Sequence, residues 1–311
     1  MPRRVFLIAV LGLVGLVLAA EIGLRVFAGL GDPPLARPVP LVEYELVPSA
    51  DHWRFGNRIT INEHGMRAAP HGALPRPDER RVLLIGDSVV YGTHRLDQEE
   101  TIAVRLEALL MARASACDTR VLPLAASSWG PVNMAAALRG SGLFGAQEVV
   151  IVVSAHDLFD LPSWQTSDIP YAIATPGLAV LDAAAALARR RYGWRILPWA
   201  PPAAAPPAEG TLPPDSVAAI AEMVATARKA GATVWLAYHP TVGEPGAPPP
   251  PGRAAFEGFA ALEGVPFVAF GEHGLGQGDY VDIIHPSASG ARRIAQILAK
   301  TLGAGESEAC G

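Results

Sequence analysis

A serine hydroxyl becomes a nucleophile only when a base takes its proton and a third group orients that base. Ser88 stands where such chemistry could be built, in the run Gly86-Asp87-Ser88-Val89-Val90-Tyr91-Gly92, directly after the apolar stretch Val82 to Ile85. A short apolar run that stops at Gly-Asp-Ser reads as a buried strand. Open parallel sheets place their ligand crevice at the carboxyl ends of their strands. A base and its orienter stand together far along the chain, in Tyr280-Val281-Asp282-Ile283-Ile284-His285-Pro286-Ser287. Asp282 precedes His285 by three positions, so its carboxylate can hold one ring nitrogen while the other faces Ser88. Alone, an aspartate and a histidine ahead of a helix read as capping or surface residues. Joined to a strand-terminal serine, they read as acyl chemistry.

Elements that alternate in type must bring these distant residues together. Val82 to Ile85 is followed by helical spacing over Thr101 to Ala114, through Ile102, Leu106, Leu109 and Leu110. Val121 to Leu124 reads as a strand ending in Ala-Ala-Ser-Ser-Trp-Gly-Pro, followed by a helix to about Leu138. Val149 to Ser154 is a further strand. Asp215 to Ala230 is a helix stopped by Gly231, Thr233 to Tyr238 and Val265 to Phe270 are strands, and Pro286 to Leu302 is the closing helix. Short apolar strands alternating with helices predict a parallel sheet covered on both faces, as one domain over 81–303. Residues 31–80 read as an extended lead-in with short strands, and 304–311 as a flexible tail. An insertion over 161–214 carries a helix from Leu178 to Arg190 and then a proline-rich stretch. Its Trp164, Trp194 and Trp199 read either as a wall over the strand ends or as a surface excursion packed by its own aromatics.

The chain has 311 residues, 50% hydrophobic and 18% charged, with a net charge of -5 and two lysines, Lys229 and Lys300. That is enough to bury a core, and it lacks the basic excess that grips nucleic acid. Some of the hydrophobicity belongs to Val5 to Ala20, sixteen uncharged residues flanked by Arg3, Arg4, Glu21 and Arg25. Residues 1–30 read as a membrane anchor through 5–27 or a cleaved signal, with a soluble helix as the remaining alternative. The basic tip predicts a single-pass inner-membrane protein whose domain faces the periplasm or cell exterior. Cys117 and Cys310 allow one disulfide or two unlinked thiols. Neither a dinucleotide glycine triplet nor a phosphate loop with its lysine is present, and no metal-ligand spacing stands out, so neither cofactor nor metal is expected.

These residues carry a resemblance to the SGNH/GDSL hydrolase superfamily. GDSVVYG resembles its first block and DIIHP its last, while INEHGMR at 61–67 resembles an element of membrane-anchored bacterial members. The resemblance spans about 81–302. It implies a flavodoxin-like three-layer α/β/α fold with a mostly five-stranded parallel sheet. It also implies ester hydrolysis or acyl transfer through an acyl-enzyme, with Ser88 as nucleophile, His285 as base and Asp282 as its partner. The middle blocks depart from the family pattern. LPLAASSWGP puts Ser128 where the family has the oxyanion-hole glycine, with Gly130 two residues later, and Ser154-Ala155-His156-Asp157 replaces Gly-x-Asn-Asp. A backbone N–H survives at Ser128 if the loop tolerates a Cβ, and a histidine can donate one hydrogen bond in the right tautomer. The oxyanion hole implied is therefore the Ser88 and Ser128 amides with His156, although His156 also reads as a substrate contact or a structural residue.

Smaller expectations attach to Asp87, Asp157 and Gly130 as loop support, and to His94 and His239 as pocket lining or loop support. The expected substrate is an acylated small molecule, lipid or glycan. Ester hydrolysis leads, with O-acyl transfer to a cell-surface polysaccharide and a noncatalytic glycan-binding role as alternatives.

Overall fold

Four successive apolar residues, Val82 to Ile85, demand cover on both faces of a strand. The computed structural model describes residues 3–113, 118–165, 169–192, 208, 211–244 and 247–303, of which 189–192 in backbone only. Cys117, Cys310, Trp194, Trp199, most of the proline-rich stretch and the 304–311 tail lie outside the described residues. In chain order come α1 (Arg3–Ala28), the hairpin β1 (Ala36–Val39) and β2 (Glu43–Leu46), and the hairpin β3 (Ala50–Arg54) and β4 (Asn57–Ile61). There follow β5 (Glu79–Gly86), the single turn α2 (Ser88–Tyr91), α3 (Ile102–Arg113), β6 (Asp118–Ala125), α4 (Pro131–Ser141), β7 (Glu148–Val153) and α5 (Ala179–Tyr192). The chain closes with α6 (Ser216–Lys229), β8 (Thr233–Tyr238), α7 (Pro251–Glu263), β9 (Phe267–Ala269) and α8 (Ala288–Gly303).

Strands β5 to β9 form an all-parallel sheet in the order β6-β5-β7-β8-β9. This is the flavodoxin-like order, and its topological switch point falls between β5 and β7, where the chain leaves both strands at their carboxyl ends. Side chains alternate along β5 between two helical layers. Leu83 and Ile85 pack with Leu138 of α4, Met223 of α6 and Phe256 of α7, whereas Val82 and Leu84 pack with Leu106 of α3 and Ile294 and Leu298 of α8. Burying each such side chain contributes roughly 1.5–3 kcal/mol. The expected three-layer α/β/α sandwich is therefore the observed one.

Two differences have local causes. β5 begins at Glu79, ahead of its apolar run, because Arg80 and Arg81 are buried with partners: Arg81 Nε donates to Glu79 Oε1 and Arg80 Nε to Glu148 Oε2, each at 2.6 Å. α7 was missed by the periodicity, its start hidden in a run of prolines. Pro251 takes the first helical turn, where no N–H is needed, and Gly264 stops the helix at φ 62°. The lead-in, for its part, is packed into the domain. Ala36 and Tyr44 join the α4–α6–α7 side of the core, and Leu46, Ile59 and Ile61 join the α3–α8 side.

Candidate active site

Ser88 opens α2 two residues beyond the end of β5, half-buried at the carboxyl edge of the sheet. Its Oγ lies 2.9 Å from His285 Nε2, across 197 positions of sequence. On the other side of the ring, Nδ1 lies 2.9 and 3.0 Å from the two oxygens of Asp282. The aspartate is itself held from behind, accepting the His285 and Ile284 N–H groups at 2.9 and 3.1 Å. Burial alone would raise the Asp282 carboxyl, but these backbone bonds and the His285 ring outweigh it and hold the group below the ordinary range. The arrangement can pass a proton from Ser88 to His285 with Asp282 fixing the ring.

The 280–286 loop that carries this pair is clamped at several points. Val281 N–H donates to His285 O, and Val242 N–H to Ile283 O, both at 2.9 Å. Tyr280 Oη donates to Pro240 O at 2.8 Å, and His239 Nε2 to Ile284 O at 2.7 Å. His239 is fully buried, and burial pushes its imidazole down to about 4, so it is a neutral strut beneath the loop. Arg95 reaches across from the Ser88 side to Val281 O at 3.4 Å and to Asp282 Oδ2 at 3.8 Å. His94 beside it is exposed, its ring 5.6 Å from that of Phe55.

The loop after Ser88 is organised from the lead-in. Arg67, last residue of the INEHGMR run, is fully buried and donates to the carbonyls of Tyr91, Thr93, Leu96 and Arg58. Asn62 of the same run turns the chain, its Oδ1 accepting the His64 and Met66 N–H groups at 3.0 Å. Arg67 was read as part of a motif without a role. Its signal was an arginine between apolar residues, and a fully buried guanidinium must find acceptors.

The loop after β6 holds Ser128 at φ 61°, the left-handed region that favours glycine, with its side chain exposed. The Cβ is tolerated at a backbone cost of roughly 1 kcal/mol. The β1–β2 hairpin braces this loop: Trp129 Nε1 donates to Tyr44 O at 3.1 Å, Tyr44 Oη to Ser127 O, and Asn133 Nδ2 to Val42 O at 2.8 Å. Gly130 N–H donates to Asn133 Oδ1 at 3.1 Å, and a Cβ on Gly130 would fall 2.2 Å from Asp160 O. Trp164 is half-buried, its N–H on Glu43 Oε1 at 2.7 Å.

The loop after β7 brings His156 to the Ser88 turn. Asp87 and Asp157 are buried, each using one oxygen on backbone: Asp87 Oδ1 accepts Val89 N–H at 2.8 Å and Asp157 Oδ2 accepts Ser154 N–H at 2.6 Å. Their other oxygens have no hydrogen-bond partner and face His156 Nε2 at 3.6 and 3.5 Å. Burial raises both carboxyls, Asp157 the more because the Asp87 charge adds to it. The three donor atoms lie within 4.8 Å of one another, so Asp87, His156 and Asp157 are the residues that could hold a metal ion here. No sequence spacing reveals the group, because it joins two loops.

No family model and no curated protein matches the chain. Among solved structures it is similar to TesA, at 20% identity over 72% of this chain and 98% of that one, with a TM-score of 0.46. The aryl esterase of M. smegmatis is similar at 15% identity over 72% and 99%, with a TM-score of 0.45. A carbohydrate acetylesterase from Sinorhizobium meliloti is similar at 16% identity over 72% and 99%, with a TM-score of 0.42. The sheet order of the chain itself, not this likeness, defines its fold.

Proposed function

We propose that the chain is a serine ester hydrolase of the SGNH/GDSL type. The observation that carries this reading is the unbroken line from Asp282 through His285 to Ser88 Oγ, with 2.9 Å at each closest approach. His285 takes the Ser88 proton as the hydroxyl attacks an ester carbonyl, and Asp282 stabilises the imidazolium. The alcohol leaves with that proton, and water then attacks the acyl-enzyme, its proton passing through His285 and its hydroxyl ending on the acid. The free N–H groups of Ser88 and Ser128 are the oxyanion donors. A third such donor is worth about 3 kcal/mol, and His156 supplies it in place of asparagine. His156 Nε2 faces Asp87 and Asp157, so Nδ1 is the ring nitrogen left to donate to the oxyanion.

The long apolar helix α1 supports placement in a membrane, and Arg3 and Arg4 at its tip favour an orientation with that tip cytoplasmic and the domain on the far side, the arrangement of a single-pass inner-membrane protein. A fluorophosphonate probe tests the nucleophile. The adduct should map to Ser88 and disappear in Ser88→Ala together with turnover of a short acyl ester. Labelling elsewhere, or unchanged turnover in that variant, would refute the assignment.

A further inference from the structure

The apolar part of α1 leaves no slack. Sixteen uncharged residues separate Arg4 from Glu21, about 24 Å of helix against a hydrocarbon layer of roughly 30 Å. A span shorter than the layer pulls its flanks toward the bilayer. The segment that follows is bound to the domain instead of being a linker. Glu21 Oε1 and Oε2 accept the N–H groups of Ala179 and Val180 at 2.9 and 3.0 Å, and Arg25 donates to Glu21 and to Gly177 O. Just beyond the helix, Asp182 accepts Gly31 N–H at 2.9 Å and Arg54 Nη1 at 2.8 Å in the interior. Ala28 O accepts Phe55 N–H at 3.0 Å, and Gly29 passes so near Trp53 that a Cβ would lie 1.8 Å from Trp53 O. The last two turns of α1 are thus part of the domain, and the helix runs on from them unbroken.

The surface around this exit is apolar. Phe27, Trp53, Phe55, Leu178 and Leu181 are all exposed there, residue types that suit the boundary between headgroups and acyl chains. From Phe55 the surface leads on to the reactive residues. The His94 ring lies 5.6 Å from that of Phe55, tilted by 53°, and the next residue, Arg95, approaches Asp282 Oδ2 at 3.8 Å. On either side of Asp282, Val281 and Ile283 are exposed, Ile283 at 72%. Exposed apolar residues thus stand at both ends of this path, around the helix exit and on either side of Asp282, with His94 and Arg95 between them, a distribution that suits a surface facing the bilayer boundary.

We infer that α1 docks the domain rigidly on the bilayer with the Asp282–His285 loop at the headgroup layer, and that the site takes the ester of a membrane-borne amphiphile. The substrate half rests on the ester-hydrolase reading above. In the full chain reconstituted in phosphatidylethanolamine–phosphatidylglycerol vesicles, two substrates separate the cases: a water-soluble acetyl ester, and the acetyl ester of a long-chain alcohol dissolved in the same vesicles. The comparison variant carries about ten Gly/Ser residues inserted between Ala20 and Glu21, a flexible tether that keeps every docking contact but uncouples the span. The soluble ester should be cleaved equally by both proteins, while the membrane-borne ester should be cleaved at least about tenfold more slowly after insertion. Equal rates on the membrane-borne ester would overturn the inference, as would a native chain that cleaves only the soluble one.

A fluorescent label on Phe55→Cys, in a Cys117→Ser, Cys310→Ser background, reads the docking without turnover. It should be shielded from aqueous iodide in the native frame and become accessible after insertion. Accessibility in both overturns the docking. If neither ester is cleaved, the hydrolase reading and the substrate half fall together, and the label still decides the docking.

Discussion

His239 offers a direct test of how the reactive loop is held. Its Nε2 lies 2.7 Å from Ile284 O, so the ring nitrogen must donate, while Nδ1 is buried without a partner. The folded protein therefore needs this histidine neutral. Burial lowers the ring from 6.5 to about 4, the Ile284 acceptor opposing only part of that fall. In the unfolded chain the ring binds its proton at the ordinary value, so between those two pH values the unfolded state carries more protons than the folded one. Stability is then lost as pH falls, beginning near 6.5 and complete below about 4. The gap amounts to about 3 kcal/mol, a large part of the 5–15 kcal/mol that holds an ordinary domain together.

His239→Gln keeps a donor near the Nε2 position and removes the titration. Urea unfolding of the full chain in detergent, followed by tryptophan fluorescence from about pH 7 to about pH 4, should show the stability difference moving by about 3 kcal/mol in the variant's favour. Parallel curves would refute the reasoning. At neutral pH the same variant should keep kcat near native, whereas His239→Ala, which leaves Ile284 O without its donor, should lower kcat more than it alters KM.

Asp282→Asn should leave the fold intact and lower kcat by about 10⁴, as expected when a histidine loses the carboxylate that fixes its tautomer; a loss below about tenfold would show that the ring is oriented by other means. Ser128→Gly should stabilise the protein by no more than about 1 kcal/mol with an unchanged rate of fluorophosphonate labelling. Ser128→Val, a β-branched residue at φ 61°, should destabilise by about 2 kcal/mol and slow labelling. Arg67→Met should cost at least about 3 kcal/mol in denaturant titration, because four carbonyls lose their donor.

The extent to which this site was legible in the sequence follows from what each residue needs. The sheet strands were readable from their apolar centres, where burial on both faces leaves no room for unpaired polar side chains, and β8 was found to the residue, Thr233–Tyr238. Ser88, Asp282 and His285 were readable because a strand end and a helix start are the places where such side chains can meet. The supports were less visible, since their partners are backbone carbonyls that any sequence supplies. Arg67, His239 and Tyr44 each act through main-chain oxygens, and nothing in the composition of a loop announces which carbonyl turns inward.

The lead-in makes the same point at a larger scale. Residues 31–80 read as extended because their apolar residues are few and interrupted by turns. Each hairpin nevertheless braces one reactive loop. The β1–β2 hairpin holds the Ser128 turn through Tyr44 and Val42, and Arg67, following β4, ties the Ser88 loop to the β3–β4 hairpin through Arg58 O. The β3–β4 hairpin also meets α1 through Phe55, so one short element touches both the helix exit and the residues beside Ser88. A perturbation at Phe55 should therefore be felt at His94 before it is felt in the sheet. The Ser88 and Ser128 loops take part of their geometry from the hairpins ahead of β5, so trimming the chain back to the start of β5 would keep the Ser88, His285 and Asp282 side chains and the clamps on the 280–286 loop but remove the residues that brace the other two loops.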